Sequence, residues 1–270
     1  MSRNLEIVEF WKACQLEKPP FVHPEDAPVL KSRFGDLSKD LPGSFKEFVA
    51  SARFGQFADK NFHFALYPHP YAGDLSRADI FILQLNPGMN LADYHVEWNG
   101  SGFRSIMARN IRQDLEGSDF PFWPLDPDLC GTPGFRWWES KLREVCTIIA
   151  QKKYDGRYVD GLREMSRRIA LVELVPYHSI VFDSGGLIRE LPSAKAAIRF
   201  VTNDLLERAA AGRALVIAVR GIKDWGLSAT NINGVVAYSG GLQRGSSLSS
   251  RTLGGKAILK YLGIDLPATN

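Results

Sequence analysis

Cysteines and long apolar runs are scarce in this chain of 270 residues, and each scarcity excludes a class of protein. The three cysteines, Cys14, Cys130 and Cys146, are odd in number, far apart and without a C-x-x-C pair, which argues against a disulfide framework and a structural zinc. No apolar run approaches the roughly 20 residues that a membrane span requires, and the N-terminus lacks the apolar core of a signal peptide. We therefore expect a cytoplasmic protein with no metal, no cofactor and no contact with a membrane.

Charge of one sign is not in large excess, and several catalytic motifs are missing. Lysine and arginine number 33 against 30 acidic residues, a net charge of +3 that permits contact with a polyanion without requiring it. The chain has no Walker lysine loop, no G-x-G-x-x-G after a strand and no nucleophile elbow. His95-Val96-Glu97 matches the H-x-E of zinc deaminases, but the P-C-x-x-C that completes their metal site is absent.

Buried strand patterns alternate with helical patterns along the chain, which predicts an α/β fold. We expect one three-layer α/β/α domain over residues 61–270, with a central, mostly parallel four-stranded sheet. Residues 1–60 are expected to add an N-terminal helical extension. The four strand patterns begin at Ile80, Ile169, Ala214 and Val235, and residues 62–67 alternate like an additional approach strand.

The segment that ends the first strand is the strongest functional signal. Pro87 cannot donate to a ladder and Gly88 accepts a positive φ, so Asn86 is expected at the carboxyl end of a buried strand, where open α/β sheets bind ligands. Taken alone, Asn-Pro-Gly is equally typical of a plain turn. The residues expected to line the site beside Asn86 are Gln84, Leu85, Pro87 and Gly88.

Residues 89–103, which follow directly, are rich in aromatic and amide side chains. We expect a long loop without regular structure, and such loops tend to bind something. Its candidate binding residues are Tyr94, Trp98 and Phe103.

A second buried strand pattern, residues 169–175, also ends in proline and polar side chains. His178 follows it and is a further candidate for the binding site. Glu173 is unusual because a carboxylate inside such a run must find a hydrogen-bond donor or be protonated. A salt bridge to one of the nearby arginines and a role in facing a ligand are equally compatible with this position.

A loop rich in glycine, serine and arginine follows the last strand pattern. Glycine amides and serine hydroxyls are donors that suit phosphate groups, although a plain surface loop has the same composition. The candidate contacts with a nucleic-acid backbone are Ser239, Gln243, Arg244, Ser246 and Arg251.

The order of these features resembles the uracil-DNA glycosylase superfamily over residues 67–262, and residues 80–88 are similar to the Asn-Pro-Gly first motif of its mismatch-specific and single-strand-selective branches. The resemblance implies that Asn86 orients the hydrolytic water and that Phe103, or Trp98 in its place, stacks on a base flipped out of the DNA. DNA, single- or double-stranded, is then the expected partner of a monomeric protein.

Two departures from the family pattern affect this expectation. Ser239 stands where the second family motif has a histidine that binds the leaving base, and Gln243 and Arg244 stand where the family inserts an apolar wedge. Glu173 occupies the strand position at which the family reads the base with asparagine. An ionised carboxylate accepts but does not donate, so uracil is disfavoured and an amino-bearing edge is favoured.

Three functions therefore stay open at the level of sequence. The first is a DNA-base glycosylase of altered specificity. The second is an inactive relative that binds a nucleotide or nucleic acid through the same pocket. The third is a small-molecule hydrolase on the same scaffold, because a fold does not determine a function.

Overall fold

The structure, a computed structural model, describes residues 5–100, 102–227, 232–239 and 247–265. It is a mixed α/β protein with a five-stranded, mostly parallel sheet, which confirms the predicted α/β class and the mostly parallel sheet. The strands are β1 (Tyr71–Ala72), β2 (Ile80–Gln84), β3 (Ile169–Glu173), β4 (Leu215–Ala218) and β5 (Val235–Ala237), and their order in the sheet is β1-β3-β2-β4-β5. β2 pairs in parallel with β4, and β4 with β5.

The prediction of four strands was wrong because β1 is only two residues long and leaves no periodic pattern. Residues 62–67, expected as an approach strand, form no strand. Their amides bond elsewhere: the N–H of His63 donates to the carbonyl of His178 (2.9 Å) and that of Tyr67 to the carboxylate of Glu97 (3.0 Å). Local alternation therefore reflected burial here and not ladder pairing.

The helices, in chain order, are α1 (Glu6–Lys12), α2 (Ala27–Phe34), α3 (Phe45–Ala50), α4 (Leu91–Asn99), α5 (Phe103–Arg112), α6 (Pro133–Lys153), α7 (Tyr158–Arg168), α8 (Leu187–Glu190), α9 (Pro192–Phe200), α10 (Leu206–Ala210) and α11 (Leu253–Tyr261). Short 3-10 turns cover Trp123–Leu125 and Pro127–Leu129, and a π-helical turn covers Val201–Leu205. Residues 1–60, expected to be helical, contain α1, α2 and α3.

Residues 89–103 were expected to lack regular structure, and this prediction was wrong. α4 occupies Leu91–Asn99 and begins with a capping box, in which Asn90 Oδ1 accepts the N–H of Ala92 (2.9 Å) and Asp93 Oδ2 accepts the N–H of Asn90 (2.6 Å). These side chains satisfy amides that a helix N-terminus leaves unpaired. The Asn-x-x-Asp spacing was a readable signal for this helix.

The chain divides into two compact units. The first comprises Met1–Tyr71, Leu85–Leu115 and Val172–Phe200, and the second comprises Ala72–Gln84, Glu116–Leu171 and Val201–Asn270. In the second unit α6 packs closely on α7, where a Cβ at Gly161 would lie 2.3 Å from the carbonyl oxygen of Cys146. Only glycine permits this approach of the two helix backbones.

In the first unit a buried carboxylate fixes the segment that follows β3. Asp26 accepts hydrogen bonds from the hydroxyl of Tyr177 (2.6 Å) and from the N–H of Ser193 (2.9 Å). The Tyr177 hydroxyl in turn accepts the N–H of His23 at 3.2 Å. Residues just before His178 are therefore held by the N-terminal part of the same unit.

β2 is the central strand, and the strand order reverses around it. The chain runs from β2 to its neighbour β3 on one side, and then to β4 on the other side of β2. Open α/β sheets bind ligands beyond the carboxyl ends of strands at such a reversal. Asn86 lies two residues beyond the end of β2.

Candidate functional site

Asn86 is held in one orientation by a residue that follows β3. Its Nδ2 donates to the hydroxyl oxygen of Ser179 at 3.0 Å, and Ser179 is fully buried. The Asn86 side chain is itself half-buried, and within the described ranges its Oδ1 accepts no hydrogen bond. With Nδ2 committed to Ser179, the carboxamide presents Oδ1 as an acceptor.

His178 holds the backbone of the same motif. Its Nδ1 lies 2.7 Å from the carbonyl oxygen of Gly88, a residue with φ of 65°. A carbonyl oxygen only accepts hydrogen bonds, so Nδ1 carries the hydrogen. In the neutral ring Nε2 then carries a lone pair and can only accept. Burial lowers the pKa of His178 to about 4 although the carbonyls of Gly88 and Tyr67 favour protonation, so the ring is neutral at pH 7.

The dipeptide His178-Ser179 therefore binds the Asn86-Pro87-Gly88 turn at two points. The ladder between the two chain segments continues up to this turn, since the N–H of Val175 donates to the carbonyl of Leu85 at 2.8 Å. Beyond Leu85 the contacts pass from the backbone to the side chains of Ser179 and His178. We refer to residues 86–88 with residues 178–179 as the Asn86 clamp.

Two more buried polar side chains are His69, whose ring lies near that of His178, and Glu173, which lies five residues before His178 in the chain. The His69 ring stands 6.4 Å from that of His178 and is nearly parallel to it, and burial lowers the pKa of His69 to about 3. Glu173, the last residue of β3, is 3% exposed, and its N–H donates to the carbonyl of Pro70 at 2.9 Å. The side chain of Glu173 is thus buried.

Tyr94 lies in a packed core cluster. It is fully buried, stacks on Phe48 with ring centroids 3.7 Å apart, and its hydroxyl lies 3.2 Å from Nδ1 of His63. Trp98 packs against this cluster and lies under the guanidinium of Arg104, while Phe103 is buried at the start of α5. These placements leave no exposed ring face at Tyr94 for a base to stack on.

The remaining sequence candidates are placed as follows. Gln84 is buried at the end of β2, Leu85, Pro87 and Gly88 are half-buried, and Ser239 and Arg251 are exposed. Gln243, Arg244 and Ser246 lie outside the described residues. Sequence reasoning missed Ser179 as the partner of Asn86, although its position in a polar run directly after β3 was a usable signal.

Comparison of the chain with protein-family models, with curated proteins and with solved structures finds no match in any of the three. Within the described part of the chain, no helix is both long and apolar enough to cross a bilayer. In the same residues, no three histidine, cysteine or acidic side chains come together as metal ligands.

Proposed function

We propose that this protein hydrolyses the N-glycosidic bond of a damaged or deaminated nucleobase flipped out of DNA, with Asn86 positioning the water. The observation that carries the proposal is the Asn86 clamp: a half-buried carboxamide beyond the central strand, fixed through Nδ2 by Ser179, with Oδ1 accepting no hydrogen bond among the described residues. A three-layer uracil-DNA glycosylase-like domain and a cytoplasmic location belong to the same proposal.

The chemistry requires a water close to the sugar as the bond breaks. Cleavage develops an oxocarbenium-like sugar and an anionic base. A fixed acceptor that binds one hydrogen of the water turns a lone pair of the water oxygen towards the sugar. Holding the acceptor before substrate binds avoids the cost of ordering it during the reaction. Ser179 supplies that order to Asn86.

The polar groups near the clamp accept more readily than they donate. Nε2 of neutral His178 carries a lone pair and no hydrogen, and the carboxylate form of Glu173 accepts hydrogen bonds without donating any. A base edge that carries amino or ring N–H donors therefore fits better than an edge of carbonyls. Since Nε2 of neutral His178 does not donate to a leaving anion, the reaction is expected to be slow.

The same observation favours a second function, namely binding of a nucleobase without cleavage. Loss of one electrostatic donor commonly costs about 10²–10³ in rate. A pocket that lacks this donor and retains its acceptors can still recognise a base by its hydrogen-bonding edge.

The decisive experiment uses oligonucleotides with one uracil, hypoxanthine, xanthine, ethenocytosine or 8-oxoguanine, single-stranded and in duplex. Alkali-labile strand breaks that appear with the wild type and vanish in Asn86→Ala support the enzyme. Asn99→Ala, which removes an exposed amide at the end of α4, is the matched control and should keep activity. Binding without breaks supports the second function, and no response to any DNA refutes both.

A further inference from the structure

Arg104, the second residue of α5, is surrounded by aromatic rings. Its guanidinium carbon lies 3.9 Å from the ring centroid of Trp98, 5.1 Å from that of Tyr67 and 5.2 Å from that of Phe21. These cation-π contacts account for the position of the charge. Aromatic rings contact a guanidinium over its flat faces, however, and accept no hydrogen bonds from the N–H groups that point outwards in its plane.

The N–H groups along one edge of this guanidinium have no acceptor. Nε and Nη2 of Arg104 are buried and form no hydrogen bond within the described part of the chain, and the same is true of Nε1 of Trp98. In Arg168 the same two nitrogens, Nε and Nη2, donate to the two carboxylate oxygens of Asp79 at 2.7 and 2.5 Å, which shows how this edge of an arginine binds a carboxylate. Buried donors that lack an acceptor cost free energy, and a bound acceptor group would remove that cost.

The nearest carboxyl group does not use this edge. Oε2 of Glu97 lies 3.9 Å from Nε of Arg104, too far for a hydrogen bond, and accepts the N–H of Tyr67 at 3.0 Å instead. Burial, with a smaller contribution from Asp93, raises the pKa of Glu97 to about 8 against the opposing effects of Tyr67 and Arg104. At pH 7 most copies of Glu97 are neutral, so this acid does not balance the charge of Arg104.

We propose that the Nε and Nη2 edge of Arg104, with the indole N–H of Trp98, binds a small oxyanion group, a phosphate or a carboxylate. A forked pair of N–H donors matches two oxygens of such a group, and the fixed positive charge strengthens both bonds. The Arg104 side chain as a whole is 26% exposed, whereas its Nε and Nη2 are buried, so binding requires the groups that cover this edge to move aside. The N-terminus of α5, where Gly102 provides no side-chain cap, adds a favourable dipole.

The indole N–H of Trp98 provides a direct readout because the chain has only six tryptophans. In ¹H–¹⁵N spectra of the labelled protein, Trp98→Phe assigns the signal. Titration at pH 7 with sodium phosphate, and separately with sodium acetate, is compared with sodium chloride at equal ionic strength. We expect the Trp98 signal to shift saturably while the other five stay in place.

Variants separate an anion site from a purely structural cluster. Arg104→Gln removes the charge and Arg104→Lys keeps it without the forked edge, and each should raise the half-saturating concentration about tenfold or more. Arg109→Gln removes an exposed charge from the same helix and should change nothing. The unchanged signals of the other tryptophans report that each variant is folded.

Each outcome decides the proposal, and none depends on base cleavage. A shift with phosphate alone identifies a phosphate group, and a shift with acetate identifies a carboxylate. A Trp98 signal that responds to chloride as much as to either anion overturns the proposal. An equal response in wild type and in both Arg104 variants also overturns it.

Discussion

Replacing Glu97 by glutamine should make the protein more stable at alkaline pH. The pKa of Glu97 is about 8 in the folded protein against an ordinary value of 4.5, because the carboxyl group is buried. Between these two pH values the folded protein retains a proton that the unfolded chain has released. The free energy of unfolding therefore falls as pH rises through this window and is lowest above pH 8.

The size of the effect follows from the difference between the two pKa values. At 1.36 kcal/mol per pKa unit, the cost of the ionisable group is about 3 kcal/mol at pH 7 and about 5 kcal/mol at pH 9. Glutamine retains an oxygen that accepts the N–H of Tyr67 and is neutral at every pH. We expect Glu97→Gln to match wild type near pH 4.5 and to gain at least about 2 kcal/mol at pH 9.

Urea denaturation at pH 5, 7 and 9 measures this difference directly. The exposed Glu116→Gln is the matched control and should parallel wild type at all three values. An equal stability difference between Glu97→Gln and wild type at pH 5 and at pH 9 would refute the reasoning, because it would mean that Glu97 is ionised in the folded protein throughout. A loss of stability at pH 9 would do the same.

Three further predictions test the site and the fold. Ser179→Ala removes the group that orients Asn86 and should lower base cleavage about tenfold; cleavage at the wild-type rate would contradict the clamp. Glu173→Gln supplies a donor and should shift cleavage or binding towards bases with carbonyl edges, and unchanged selectivity in the oligonucleotide assay would remove Glu173 from base recognition. Gly73 has φ 91°, and a Cβ added there would lie 2.6 Å from a carbonyl oxygen of β3, so Gly73→Ala should lower the free energy of unfolding, measured with urea, by more than about 2 kcal/mol. Gly35 has φ 75° with open space around it, so Gly35→Ala should lower the free energy of unfolding by less. Equal losses in the two variants would rule out the steric contact.

Local sequence patterns were enough to predict the α/β class and the position of Asn86 beyond a buried strand. The apolar run that ends at Asn86 and the run that ends at Glu173 predicted β2 and β3, because burial on both faces of a sheet demands such runs. Pro87 and Gly88 marked the end of the first run. That Asn86 lies beyond a buried strand was therefore readable from a few adjacent residues.

The partners of these side chains were decided by tertiary structure alone. Asn86 and Ser179 are 93 positions apart, and Gly88 and His178 are 90 apart, so no local period connects them. Tyr94 could equally have faced a ligand from a loop, and only the stacking on Phe48 in the folded chain placed it in the core. Periodicity reports which face of an element is buried, whereas the group that a side chain meets there depends on how distant segments pack.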